Sequence, residues 1–345
     1  MTNKMRALVK KEATKGLNLE YVDMPKVGPN DILVKVEAAS ICGSDIPIYY
    51  WNKWAPSRII PPTIIGHEFA GKVVEVGEKV KGFNVGEKVS AESHITCGKC
   101  YQCLTNQKYA CQNTLLRGID FDGCFAEYHV VRESEAWKSN NIPSEVATLQ
   151  EPFGNSIHAV TSCDVAGKTV VVFGCGPIGL FAIMLSKALG AREVIGVEKV
   201  RYRLDLAREL GCDKVILADE NTVKKIMSIT DGVGADIVFE MSGAKQALLQ
   251  GLEVVRAGGN VVVIGLYGTK VDIDISELVV IKGVTIKGII GRRIWEDWFT
   301  GKALIECGKV NLRKVITHEF KLEEYEEAFK TVSSGQCGKV LFKLT

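Results

Sequence analysis

Gly174-Cys-Gly-Pro-Ile-Gly179 is the stretch that most restricts this sequence. It follows the apolar run Thr169–Phe173 and opens a helical pattern, Leu180–Leu189, that Gly190 ends. Strand, glycine turn and helix in that order is the context in which G-x-G-x-x-G holds a dinucleotide. Gly174 allows the tight turn, Gly176 lets a pyrophosphate approach the backbone, and Gly179 permits close helix packing. The helix N-terminus then faces the phosphates. Glu193–Val197 reads as the next strand, with Glu198 nineteen residues past Gly179. An acid there accepts hydrogen bonds from the ribose hydroxyls and repels a 2′-phosphate, which predicts NAD over NADP. Lys199 and Arg203 weaken that preference. Further strands are expected at Lys214–Leu217, Ala235–Phe239, Asn260–Ile264 and Val284–Ile289, and helices at Arg201–Leu210, Val223–Ile229 and Gln246–Val255. Six strands alternating with helices predict an α/β, doubly wound parallel sheet.

That sheet accounts for less than half of 345 residues, so two domains are expected. The first 150 or so residues have another texture. Met5–Leu8, Leu17–Val22 and Asp31–Ala38 read as strands, and Ala70–Ser90 as antiparallel strands joined by glycine turns. Phe125–Val131 alternates as a strand as well. This part is predicted mostly β. After Gly291 the pattern returns to that type: Trp295, Trp298 and Phe299 precede a helix near Thr300–Cys307, and a last strand covers Lys339–Leu344.

The β part carries the metal-binding residue types. Cys42 and His67 are a soft thiolate and a borderline imidazole, and Glu68 adds a carboxylate. Three such ligands leave a fourth, exchangeable position, which separates catalytic from structural zinc. Taken alone, a buried thiol and a satisfied core histidine explain these residues equally well. Cys97, Cys100, Cys103 and Cys111 follow as Cys-x2-Cys-x2-Cys-x7-Cys. Four thiolates in one short loop close a tetrahedron around a structural zinc, and the rival is an iron–sulfur cluster. Glu92 and His94 precede that loop and either face the first site or belong to a solvated loop. Glu151 precedes Pro152, which predicts an extended backbone there. Tyr49, Tyr50, Trp51 and Trp54 either line a pocket or pack the core.

A formal net charge of +2, without a basic stripe interleaved with aromatics, gives no sign of nucleic acid. No apolar run approaches the roughly 20 residues of a membrane span, and the N-terminus lacks a secretory core. A cytoplasmic location is expected, and eleven cysteines, an odd number with four inside fifteen residues, point to reduced thiols and a metal.

The sequence resembles the zinc-containing medium-chain alcohol dehydrogenase family over essentially its whole length. The carriers are Gly66-His-Glu68, the four-cysteine loop and the Gly174–Gly179 turn. Within the family it is most similar to members acting on L-threonine, through Cys42-Gly-Ser-Asp, Trp51-Asn-Lys-Trp-Ala55, Glu92-Ser-His-Ile-Thr-Cys-Gly98, Asp122-Gly-Cys-Phe-Ala-Glu-Tyr, Glu240-Met-Ser-Gly and Trp295-Glu-x-Trp298. The resemblance implies a Rossmann domain over 157–291 and a mostly β, GroES-like catalytic domain over 1–156 and 292–345. It implies catalytic zinc on Cys42, His67 and Glu68, with Glu151 an alternative or additional ligand, and structural zinc on the four cysteines. Ser44 is expected to relay the alcohol proton, with His94 and Glu151 as further catalytic side chains. NAD contacts are expected at Gly174, Gly176, Ile178, Gly179, Glu198, Arg203, Ile264, Gly265, Leu266, Ile289 and Ile290. The assembly is usually a tetramer.

The expected reaction is NAD-dependent oxidation of a small secondary alcohol, L-threonine to 2-amino-3-oxobutanoate first and a polyol, sugar alcohol or its phosphate second. Related sequences commonly place a histidine where Pro47 stands, and that histidine completes the proton relay; Pro47 favours the second class. Zinc with the Cys42 thiolate and one carboxylate is formally neutral, and counting both Glu68 and Glu151 makes it −1. The surplus anion suits an ammonium-bearing alcohol. A zinc-free quinone reductase or a non-catalytic binding protein on this fold lacks the Cys42/His67 pair.

Overall fold

The computed structural model describes residues 4–344, which form two compact units. One runs to Pro152 and resumes at Ile316; the other is Phe153–Val315.

The second unit is built on a six-stranded parallel sheet in the order Lys214–Leu217, Glu193–Glu198, Thr169–Phe173, Ala235–Glu240, Val255–Val263, Thr285–Gly288. Thr169–Phe173 is buried at every residue, as a strand covered on both faces by helices must be. Val171 and Phe173 pack with Ile195, Val238, Leu252 and Val261 in one apolar cluster. Strand ends and helix starts fall within a few residues of the expected positions.

The first unit centres on a seven-stranded mixed sheet. Asp31–Ser40 pairs antiparallel with Glu68–Val76, Ser40 opposite Glu68. Lys339–Lys343 lies on the other side of Asp31–Ser40, Leu341 opposite Ser40. This register brings Cys42, His67 and Lys339 to the same end of the sheet. Beneath them lies a core that includes Ile32, Val34, Phe69, Phe125 and Phe342.

Three expectations change. The chain rejoins the first unit at Ile316 rather than at residue 292. Residues 292–315 are tied to the start of the second unit: Arg292 Nη1 donates to Asn155 Oδ1 at 3.0 Å, Arg293 Nη2 to Thr161 Oγ1 at 2.6 Å, and His158 Nδ1 to the Gly291 carbonyl at 3.2 Å. Trp298 and Phe299 lie within the helix Glu296–Glu306 instead of before it. Glu151 is helical, inside Gln150–Val160. Pro152 sits in that helix's first turn, where its missing N–H breaks no bond, so the extended backbone expected of its neighbour is not required.

Tyr49 belongs to the core, stacked on Phe329 with centroids 4.4 Å apart. Among the described residues no helix is long and apolar enough to cross a membrane.

Candidate metal and dinucleotide sites

Cys42, His67 and Glu68 each offer a ligand atom, and these lie within 4.8 Å of one another. Glu68 is fully buried. Its Oε2 accepts from Ser40 Oγ and from the Lys339 ammonium, while its Oε1 has no hydrogen-bond partner. An unanswered carboxylate oxygen in such a place is costly, and a cation answers it. The field has the matching sign. Burial opposes charge on the His67 ring, yet Cys42, Asp45 and Glu151 outweigh it and push its pKa well above the usual imidazole value. The donor set therefore fits a zinc ion.

Two residues the sequence reading overlooked shape this site. Asp45 Oδ2 accepts from the Cys42 N–H at 2.8 Å, and Oδ1 lies 3.7 Å from His67 Nδ1. Burial pushes the Asp45 carboxyl up to about 6. At 3.7 Å Asp45 and His67 share no hydrogen bond, and the carboxylate acts on the ring through its charge. Lys339 is 3% exposed and also donates to the Ile41 carbonyl at 3.2 Å. Burial alone would lower its pKa; Glu68 and Cys42 more than reverse this, so the amine is held above its ordinary value. Lys339 adds one positive charge to the site, so zinc with Cys42, Glu68 and Glu151 sums to neutral rather than −1. A lysine opening the run Lys339-Val-Leu-Phe was the visible signal, but strand-initial lysines usually reach solvent.

Glu151 does not join the first group. It clusters with Glu92 and His94, ligand atoms again within 4.8 Å. Ser93 Oγ donates to Glu151 Oε1, and His94 Nδ1 is 3.0 Å from Glu92 Oε1. The second group still acts on the first, since Glu151 raises the pKa of both His67 and Lys339. Ser44 precedes the helix Asp45–Tyr50 and makes no capping hydrogen bond with its side chain. Pro47 lies in that helix's first turn, where a proline is tolerated.

The four cysteine sulfurs also lie within 4.8 Å of one another, with Cys97–Cys111 at 3.6 Å and Cys100–Cys111 at 3.8 Å. Four sulfurs around one zinc at Zn–S near 2.3 Å stand about 3.8 Å apart, so the edges are those of a single tetrahedral ion. Backbone N–H groups of Lys99 and Cys100 lower the Cys97 thiol to about 6, and those of Cys103 and Gln112 lower Cys100. Burial pushes Cys103 up to about 12. The loop's N–H groups thus favour the thiolate at Cys97 and Cys100, while burial opposes it at Cys103.

In the second unit the glycine turn joins Thr169–Phe173 to the helix Pro177–Ala188. A Cβ on Gly179 would lie 1.8 Å from the Gly174 carbonyl oxygen, so only glycine lets the helix approach. At Gly176 the nearest group to such a Cβ is the Arg203 guanidinium, 3.8 Å away. Open backbone at a helix N-terminus beside a cation fits a pyrophosphate. The Ile178 carbonyl accepts from Ser156 Oγ at 2.9 Å. Glu198 is fixed by backbone donors, Oε2 from Cys175 N at 2.9 Å and Oε1 from Lys199 N at 2.6 Å. It lines a cleft of 280 Å³ with Gly174, Asp219, Ser242 and Gln250. Ile264, Gly265, Leu266, Ile289 and Ile290 follow the next strands; Leu266 is 93% and Ile290 59% exposed.

Comparison with known proteins gives matches along the whole chain. The family described as "Zinc-binding dehydrogenase" matches residues 177–306, and "Alcohol dehydrogenase GroES-like domain" matches 28–143. The chain is 49% identical over 347 residues to an L-threonine 3-dehydrogenase of Pyrococcus abyssi, covering 100% of each. It is 46% identical to the L-threonine 3-dehydrogenase of Bacillus licheniformis, covering 99% of each. Among solved structures it is similar to a short chain alcohol dehydrogenase from E. coli CFT073 complexed with NADH, with TM-score 0.91, 25% identity and 99% of each chain covered. A 2R,3R-butanediol dehydrogenase from Bacillus subtilis has TM-score 0.88 and 29% identity, covering 98% of this chain and 99% of that one.

Proposed function

The chain belongs to the zinc-binding alcohol dehydrogenase family, and from that premise we propose that it oxidises L-threonine to 2-amino-3-oxobutanoate with reduction of NAD. The observation that carries this reading is the pair of adjoining clusters, Cys42/His67/Glu68 and Glu92/His94/Glu151, in a chain about half identical to L-threonine 3-dehydrogenases end to end. Bound zinc supplies Lewis acidity toward an alcohol oxygen, and NAD supplies the hydride acceptor.

The chain's own residues do the rest. Cys42, His67 and Glu68 hold the metal, with the Asp45 carboxylate facing the imidazole and Lys339 answering the Glu68 charge. Glu151 is a second-site carboxylate rather than a resting ligand. Lys339 already pairs with Glu68, and the threonine ammonium is assigned to the neighbouring Glu92/Glu151 carboxylates. Ser44 accepts the alcohol proton; Pro47 carries none, so the proton leaves Ser44 through water or a ribose hydroxyl. The four cysteines hold a structural zinc.

Glu198 selects NAD through the ribose hydroxyls. Glu198→Ala is expected to weaken NAD binding about ten- to a hundredfold, the range for lost hydrogen bonds to a charged group. It should narrow the preference over NADP; calorimetric titration of both nucleotides measures it, and unchanged NAD affinity removes the role.

The assembly is read as a homotetramer in the cytoplasm. Support comes from the sheet edge Thr285–Gly288, exposed at all four residues beside the exposed Val280 and Ile281, since bare edges of this kind are normally paired or covered. Among the described residues no disulfide joins any of the cysteines, as a reducing compartment keeps them.

A substrate panel followed by NADH absorbance tests the reading. L-Threonine should exceed 2,3-butanediol, sorbitol and galactitol in kcat/KM by about tenfold or more, the value of one charge-assisted contact. Equal turnover of butanediol and threonine would remove the ammonium argument. A preference for sorbitol or galactitol would restore the reading that Pro47 favours.

A further inference from the structure

Glu240 ends the strand Ala235–Glu240 and is fully buried. Four donors converge on its carboxylate. Oε1 accepts from Ser242 N at 2.8 Å, from Ser242 Oγ, and from Gly243 N at 3.1 Å. Oε2 accepts from the Tyr267 hydroxyl and, at 3.2 Å, from Gly243 N. Two backbone N–H groups and two hydroxyls converge there, the donor set that an ionised carboxylate, which only accepts, can satisfy. Among the described residues no lysine or arginine pairs with it, so its negative charge is held by neutral dipoles alone.

Its place in the sheet gives that charge a target. From Thr169–Phe173 the chain runs outward through Glu193–Glu198 to Lys214–Leu217, then returns to Ala235–Glu240 and runs the other way. The reversal lies between Thr169–Phe173 and Ala235–Glu240, and a dinucleotide straddles such a point at the carboxyl ends of the strands. Glu198, the ribose acceptor, is on the first side, which assigns the adenosine half there. The nicotinamide half then falls on the side of Ile264–Leu266 and Ile289–Ile290, with Glu240 at the reversal itself, since its donor Ser242 lines the cleft that holds Glu198. The oxidised nicotinamide ring carries a positive charge and the reduced ring none.

We propose that the buried, cation-free Glu240 carboxylate biases the dinucleotide site toward the oxidised cofactor, acting through space on the ring's charge. The bias rests on the NAD reading above. It favours loading of NAD⁺ and release of NADH, the direction that alcohol oxidation needs. Tyr267 tempers the charge through its hydroxyl dipole.

The test is the ratio Kd(NAD⁺)/Kd(NADH), from calorimetry for NAD⁺ and NADH fluorescence, on the full-length protein. Glu240→Gln keeps the shape: its amide oxygen takes the Oε1 place, where Ser242 and Gly243 donate, and its NH2 the Oε2 place, where the Tyr267 hydroxyl turns to accept and Gly243 N–H gives up the longer of its two contacts. The ratio should rise about tenfold, as expected for one unit charge at partly screened range, while NADH affinity stays within about twofold. A structural role alone weakens both nucleotides together and leaves the ratio unmoved, and that result overturns the proposal. If Glu240→Gln does not fold, Tyr267→Phe decides. Stripping one donor from the carboxylate should lower the ratio about threefold, and an unmoved or raised ratio overturns the proposal. Failure of the unmodified protein to bind NADH at all removes the NAD reading itself, a different result from an unmoved ratio.

Discussion

Cys42→Ser is expected to lower kcat/KM for the alcohol by about a thousandfold or more, the several kcal/mol that a Lewis acid contributes at roughly 1.4 kcal/mol per tenfold. Metal analysis should fall from about two zinc per chain to about one, because a serine hydroxyl stays protonated where a thiolate binds. The fold should survive. Cys42 is only partly buried at the end of the strand Asp31–Ser40, and the sheet beneath is packed by residues that do not touch the metal. Two zinc with full activity in this variant would end the assignment of Cys42. Loss of both ions would mean that the two sites are not independent.

The second large effect is on stability. Lys339→Met leaves the Glu68 carboxylate fully buried with the Ser40 hydroxyl as its remaining side-chain donor among the described residues. Removing one partner of a buried ion pair destabilises by about 3–5 kcal/mol. In a unit of this size that lowers Tm by roughly 6–20 °C. Scanning calorimetry of the metal-free protein measures it. Saturating zinc should recover part of the loss, because the metal answers the same carboxylate. The double variant Lys339→Met with Glu68→Gln should be more stable than Lys339→Met alone, since the uncompensated charge is gone. If the two losses simply add, Lys339 and Glu68 are not coupled.

What could be read from the sequence, and what could not, divides along chain separation. The glycine turn, Glu198 and the four cysteines declare themselves because their partners are close in sequence: three glycines in six residues, four thiols in fifteen. Cys42 and His67 were legible as residue types, but only the register of Ser40 against Glu68 shows why they meet. Lys339 was not legible. Its partner is 271 residues away, and nothing local separates it from a solvated lysine. Glu151 was misread locally, because a proline after it suggested extension where a helix start accommodates both. The return at Ile316 was misplaced because aromatic residues after Gly291 resembled the first domain in composition, whereas Arg292 and Arg293 bind Asn155 and Thr161. Glu240 stood within a quoted motif without a role, since its donors come from two loops that only the sheet brings together.

The strand Lys339–Lys343 sits inside the first unit's sheet, yet Phe153–Val315 separates it from the other strands that carry metal ligands. During synthesis the second unit emerges as one uninterrupted piece and can mature on the ribosome. The metal-binding sheet has to wait, holding a gap beside Asp31–Ser40 and a carboxylate without its ammonium until the last strand arrives. A nascent chain stalled before Lys339 would carry the Phe153–Val315 unit built and the Cys42/His67/Glu68 cluster without its lysine.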